Sequence, residues 1–566
     1  MFALLAAACA GTVTRTVIEP TRSHAPAPTT GDITPADLMT RLYIFADDSM
    51  LGREAGTLGN VRGTNYIASE MRRMGLQPGG ENGTFFQTVP TVFARIDPAS
   101  SLSVEGTTLA LWRDVAPQIG DPRVRSVHAT VPVVFGGQVG GPLLTPEQAA
   151  GKFVVILPAL RTVGARMPLP YSGDLPAARV EAQALAPIAR AAAAIAYVTL
   201  DSLTPAAVDR LHEPEEELAA ASTQGAASAP VLLITAAAAQ RLLGAAAGAM
   251  TPGAAGRSAE LTVASLRTPA PYPARNVIGI LPGGDAVRRG EFVAIGAHND
   301  HIGLEPRPLD HDSVLATNMV IRRQGVQDPV RAATAPEARR IALLRDSLTR
   351  AHGGARRDSV NNGADDDGSG TVAMLEIAER FATAPERPAR SLLFVSHTGE
   401  EYGLWGSQWF TDHPTVPRDS IVAQLNMDMV GRGKDTDVMG RGPNNIQLIG
   451  PRRLSTQLGD VIDSVNAART PHMDIDRSFD TNGHPLNRYC RSDHYMYARY
   501  GIPITYFSLG YHTDYHQVTD EPQYIDYDHL ARVASFVHDI AQAIANRPQR
   551  LVVDGPKPDP LGGCRQ

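Results

Sequence analysis

"EFVAIGAHND", residues 291–300, is a near-continuous apolar run that stops at His298 and Asp300. A strand half-exposed to water alternates apolar and polar residues, whereas a strand buried on both faces of a parallel sheet does not. Three later stretches repeat the design. "SLLFVSHTGEE" (391–401) ends in Glu400 and Glu401, "IVAQLNMD" (421–428) in Asp428, and "IPITYFSLGYHTDYH" (502–516) in His512, Asp514 and His516. Helical patterns follow at 371–382, with Ala373, Ile377 and Phe381 on one side, and at 528–546. Strand, loop, helix and strand in that order predict an α/β fold with a largely parallel central sheet flanked by helices. Sites in such sheets form beyond the carboxyl ends of the strands, where these acids and histidines would meet.

The glycine-flanked "GADDDGSG" (363–370) adds three consecutive aspartates. From Asp365 to Glu376 the spacing also fits a calcium-binding EF-hand loop. That motif needs a helix running into it, and "GGARRDSVNNGA" is a poor helix former, so the match reads as coincidence. Imidazoles and carboxylates without thiolate suit zinc, with cobalt or manganese as alternatives, and the set is large enough for a pair of ions. Of adjacent Glu400 and Glu401, one can bind metal while the other takes a proton from water.

"GAHNDH", "GADDDGSG", "TGEEYGLWGS", "NMDM", "YCRSDH" and "DYHQVTDEP", in this order, resemble the M28 family of co-catalytic zinc peptidases over most of residues 34–546. The resemblance implies a mixed, largely parallel sheet of the zinc-peptidase fold and a dinuclear aminopeptidase acting on peptides through metal-activated water. It places His298 and Asp428 on one ion, Glu401 and His516 on the other, and Asp366 between them. Glu400 would be the general base, and Tyr489 would donate a hydrogen bond to the oxyanion. Asp300, Asp493 and His512 would support the ligands, Asp300 by orienting His298. Asp365 and Asp367 are expected to shape the turn and face water. Some relatives are carboxypeptidases that grip a substrate carboxylate with arginines, and Arg322, Arg323 and Arg491 keep that alternative open. A non-catalytic binding protein is disfavoured because every expected ligand is present.

Around this core, residues 34–106 and 266–550 are assigned to the peptidase domain. Residues 107–265, with "VPVVFGG", "GKFVVIL", "AIAYVTL" and "APVLLIT" between alanine-rich runs, form an α+β unit resembling the protease-associated domain of that family. The long polar stretch 302–360, with one helix expected at 336–350, is an insertion, and 551–566 is a tail. Residues 1–33 read as a leader: "MFALLAAAC" resembles the end of a signal peptide, and Thr/Pro/Ala-rich chain follows it. Export is expected. Cys9 offers a lipoprotein-type cleavage site, which leaves periplasmic, membrane-anchored and secreted forms open. Cys9, Cys490 and Cys564 are too few for a disulfide framework, and Cys490 and Cys564 read as isolated thiols. Members of the resembled family with the tyrosine can flank it with two cysteines; only Cys490 is present here, so no local disulfide is expected to brace the Tyr489 loop. A net charge of −7 gives no basic footprint for nucleic acid.

Overall fold

The structure, a computed structural model, describes residues 24, 27–118, 126–158, 185–203, 205–219, 229–323, 325, 328, 331–434, 437, 442–560 and 562–566. Cys9 and the rest of the leader's first 23 residues lie outside these. Among the described residues no helix is long and apolar enough to cross a membrane.

The main sheet contains β1 (Gln77–Pro78), β2 (Phe86–Val89), β3 (Ala274–Leu281), β4 (Phe292–His298) and β5 (Ser391–His397). It is completed by β6 (Ile421–Met427), β7 (Asn445–Ile449), β8 (Asp474–Asp476) and β9 (Ile504–Ser508). Its order is β1-β3-β5-β4-β6-β9-β7-β8, with β2 also on β3. The central pairs β5/β4, β4/β6 and β6/β9 are parallel, and β3 and β7 flank them antiparallel. The fold is therefore the mixed, largely parallel α/β class expected. Every residue of β5, β6 and β9 is buried, which is why those strands carry no alternation. His298 lies opposite His397 in the β4/β5 register, so the chain leaves both strands at the same level.

Helices α1 (Gly370–Thr383) and α2 (Tyr527–Asn546) both pack on this sheet and against each other. The sequence predicted one apolar face for α1, yet its residues 370–379 are all buried. Burying side chains such as Ile377 and Phe381 contributes roughly 1.5–3 kcal/mol each. Glu376 and Glu379 tolerate the interior because Arg41, itself inaccessible, pairs with both. Glu376 is thus engaged by Arg41, and a strand, Arg357–Val360, rather than a helix leads to the aspartate turn, so the calcium register is coincidental.

A second sheet of eight strands is built from residues 101–263, starting somewhat before the expected boundary at 107. Of the alanine-rich run expected there as helix, 185–191 is helical and the residues before 185 lie outside those described. The insertion is more structured than its polarity suggested. Leu304–Asp310 pairs antiparallel with Arg357–Val360, and between them stand two helices, His311–Ile321 and Ala335–Ala351. The first was missed because "HDSVLATNMVI" has no clean helical stripe; Asp310 caps it by accepting from the Ser313 amide.

Candidate metal centre

The three aspartates of the turn divide by direction, and all are buried. Asp367 accepts from the amides of His298 (3.0 Å), Gly370 (2.9 Å) and Met429 (3.2 Å), so it ties the end of β4, the start of α1 and the chain after β6 together. Asp365 accepts from the Gly431 amide at 2.6 Å and lies 3.2 Å from His512 Nε2. The expected solvent exposure of these two is wrong: they satisfy backbone groups in the interior. Gly363 (φ +54°) makes the turn possible, because a Cβ there would sit 2.5 Å from the His301 ring.

Asp366 alone faces the cavity. Its Oδ1 is 3.2 Å from His298 Nε2, and its Oδ2 is 3.1 Å from His516 Nε2. Two groups of potential ligands follow, His298/Asp366/Asp428 and His301/Asp366/Glu401/His516, each with ligand atoms within 4.8 Å of one another. His298 Nε2 and Asp366 Oδ2 are buried, and their short approaches are misaligned for hydrogen bonding. Atoms that converge on a common point rather than on each other fit a cation, and imidazole with carboxylate fits zinc.

Glu400 belongs to neither group. It lines the same cavity, with Oε2 4.0 Å from His298 Nε2. Asp300 joins the two strand ends: its carboxylate accepts from the amides of Glu400 (3.2 Å) and Glu401 (3.3 Å) and lies 3.6 Å from His298 Nδ1. Asp493 stands 3.4 Å from His397 Nδ1 and His512 supports Asp365, so both back the site without entering it.

The electrostatics follow from packing acids and imidazoles out of water. Burial pushes Glu400 well above the ordinary carboxylate range, helped by the charges of Asp428 and Glu401. Glu401 goes the other way, to about 2: burial and Asp366 oppose ionisation, but His516 and His301 outweigh them. His516 rises to about 10 against the cost of burial, through Glu401 and Asp366. A bound divalent cation would displace these imidazole protons, since ligation needs the neutral ring.

Four residues depart from the sequence reading. His301, unassigned there, places Nδ1 2.7 Å from Glu401 Oε1. The signal lay in "GAHNDH", where the second histidine follows Asp300 directly. Tyr489 is not brought to the cavity. It is buried with its ring against Arg453 (4.6 Å), His494 and Tyr495, because the turn Arg488–Cys490 points it into the core beside Gly450. The tyrosines that line the cavity, of about 200 Å³, are Tyr511 and Tyr515, with Arg491 on the same wall. Cys490 is not an isolated thiol: it forms a disulfide with Cys564, which fastens the C-terminal segment to the Tyr489 turn. Arg53, also unforeseen, is fully buried and donates to the carbonyls of Phe45, Asn299, Asn362 and Gly363, so it ties the His298–His301 segment to the aspartate turn.

Residues 276–541 match the family described as Peptidase family M28. The matched segment carries every residue of both ligand groups. A probable zinc metalloprotease from Pyricularia oryzae is 27% identical over 221 residues, covering 33% of this chain and 43% of the relative. Leucine aminopeptidase 1 from Paracoccidioides brasiliensis is 29% identical over 212 residues, covering 34% and 51%. The chain spans about half the length of the curated relatives it matches. Among solved structures, an aminopeptidase from Aneurinibacillus sp. strain AM-1 aligns over 93% of this chain and 97% of its own, with TM-score 0.49 and 15% identity. A zinc aminopeptidase from Bacillus subtilis aligns over 90% and 95%, with TM-score 0.48 and 16% identity.

Proposed function

We propose that the chain is an exported, dinuclear zinc exopeptidase that removes N-terminal residues from peptides. Asp366 carries the reading: one carboxylate offers each oxygen to a different histidine, while Glu400 shares the cavity and belongs to neither ligand group. His298 and Asp428 would hold one ion, Glu401 and His516 the other, with Asp366 between them; cobalt or manganese would suit the same donors.

Bound cations would polarise the scissile carbonyl and acidify water. Glu400 takes the proton of the attacking water and returns it to the leaving amine, a role open to it because it lines the cavity outside both ligand groups. The carboxylates lining the cavity, Asp366, Glu400, Glu401 and Asp428, favour a free substrate α-amine. The phenols of Tyr511 and Tyr515 replace Tyr489 as candidates to donate to the oxyanion. The Cys490–Cys564 bond is of the kind that persists in oxidising compartments, and it supports export independently of the leader.

Arg491 on the cavity wall favours a second reading, a carboxypeptidase that grips the substrate carboxylate. Hydrolysis of free, N-acetylated and C-amidated dipeptides, with and without a chelator, separates the two. An aminopeptidase cleaves the free and C-amidated peptides and is silenced by the chelator. Activity that survives N-acetylation but not C-amidation would overturn that reading in favour of the carboxypeptidase.

A further inference from the structure

His516 lies in "GYHTDYHQVTDE" (510–521), a stretch without helix or strand that follows β9. Its backbone has φ +56°, a left-handed conformation that a non-glycine residue keeps only when its surroundings enforce it. The loop is held from two sides. On the inner side Asp520 accepts from the amides of Asp365 (3.0 Å) and Asp366 (3.1 Å), which ties the loop to the aspartate turn.

The outer side is the insertion. Asn318 Nδ2 donates to Asp514 Oδ1 at 3.1 Å, and Asp514 also accepts from Thr519 and Arg432. His311 Nε2 is 2.9 Å from Glu521 Oε2, and Arg356 pairs with the same carboxylate. Gly325 passes so close that a Cβ would sit 2.0 Å from the Tyr511 carbonyl oxygen. Tyr524, just past the loop, packs into the insertion's own cluster of Leu315, Ala316 and Leu348. These contacts grip the loop before His516, at Tyr511 and Asp514, and after it, at Glu521 and Tyr524. The insertion is anchored at its far edge too, where Arg307 pairs with Asp209 of the second-sheet module.

We propose that the 302–360 insertion is the positioning element for His516: with Asn318 on Asp514 and His311 and Arg356 on Glu521, it holds the loop in the conformation that completes the His301/Asp366/Glu401/His516 group. The His298/Asp366/Asp428 group makes no such use of the insertion, since strand ends and the aspartate turn supply it. The inference rests on reading both groups as metal-binding.

The test uses the full chain loaded with zinc and dialysed against graded zinc–chelator buffers, counting ions per chain, with the thermal midpoint of the metal-free protein as a fold control. Asn318→Leu removes the donor, and half-buried Arg356→Met removes a charge without opening the core. Each should weaken one ion by about 10-fold or more, as loss of an outer partner does, and leave the other ion and the metal-free midpoint unchanged. Arg345→Ser, exposed on the insertion's second helix, should change neither. If both ions weaken in step with a lower midpoint, or if neither weakens in either variant, the positioning role is overturned. A wild-type chain that retains only one ion would instead overturn the two-ion reading on which the role rests.

Discussion

The two ligand groups share Asp366 and differ in everything else. His298 ends one strand of the buried parallel core and Asp428 follows another, and all three members of their group are buried. His301, Glu401 and His516 sit on loops, two of them only partly buried, and His516 holds a left-handed backbone. The first group is therefore set by the sheet itself, and the second by long-range contacts that the sheet does not dictate. Metal affinity, its proton linkage and its sensitivity to remote substitutions should differ between them accordingly.

The largest effect should come from the residue outside both groups. Glu400→Gln should lower kcat about 10²–10⁴-fold, the usual contribution of a general base, with metal content unchanged. Loss of an ion in that variant would exchange the roles of Glu400 and Glu401. Asp366→Asn should remove the distinction between the groups, weakening both ions by more than the roughly 100-fold upper range of outer-partner changes. Metal analysis after dialysis reads this directly. Survival of one ion at wild-type affinity would show that Asp366 does not bridge.

Smaller substitutions should separate the groups again. Asp300→Asn removes the carboxylate beside His298 Nδ1 and should cost the first ion about 10–100-fold, and the second ion less, through the Glu401 amide. His301→Asn should act on the second ion alone, through Glu401. Proton linkage gives an independent measure. His516 is raised to about 10 and must shed its proton to ligate, so metal uptake below that pH releases a proton and affinity falls as pH falls. Calorimetric titration in buffers of different ionisation enthalpy would detect that release, and an affinity flat in pH would contradict it.

The same contrast explains what the sequence could and could not reveal. His298, Glu400, Glu401 and Asp428 were legible because a doubly buried strand writes its end into the sequence as an abrupt switch from apolar to charged residues. Asp366 was legible from its glycine-flanked turn. The burial of Asp365 and Asp367 was not, since their partners are backbone amides contributed by β4, α1 and the chain after β6. His301 depends on where Glu401 arrives from another strand, and the Cys490–Cys564 bond closes a separation of 74 residues that no local pattern marks. Likewise, the docking of the insertion rests on Asn318 and His311 meeting a loop some two hundred residues away, a contact only the folded chain creates.

Tyr489 gives the smallest expected effect and the sharpest check on loop placement. Its spacing before "SDH" suggested an oxyanion donor, but spacing fixes only the distance along the chain, and the Arg488–Cys490 turn sends the ring into the core. Loss of a true oxyanion donor costs about 10²–10³ in kcat. Tyr489→Phe keeps the buried ring and removes only the hydroxyl of a residue that does not line the cavity, so kcat and KM should stay close to wild type. Tyr511→Phe, on the cavity wall with the Arg488 guanidinium 4.3 Å from its ring, should lower kcat more than it changes KM. The reverse ranking, a large kcat loss in Tyr489→Phe and none in Tyr511→Phe, would mean that the 488–490 turn swings Tyr489 into the cavity when substrate binds. The Cys490–Cys564 bond works against such a swing, because it holds the turn to the C-terminal segment. The ranking should therefore persist under oxidising conditions, where that bond is intact.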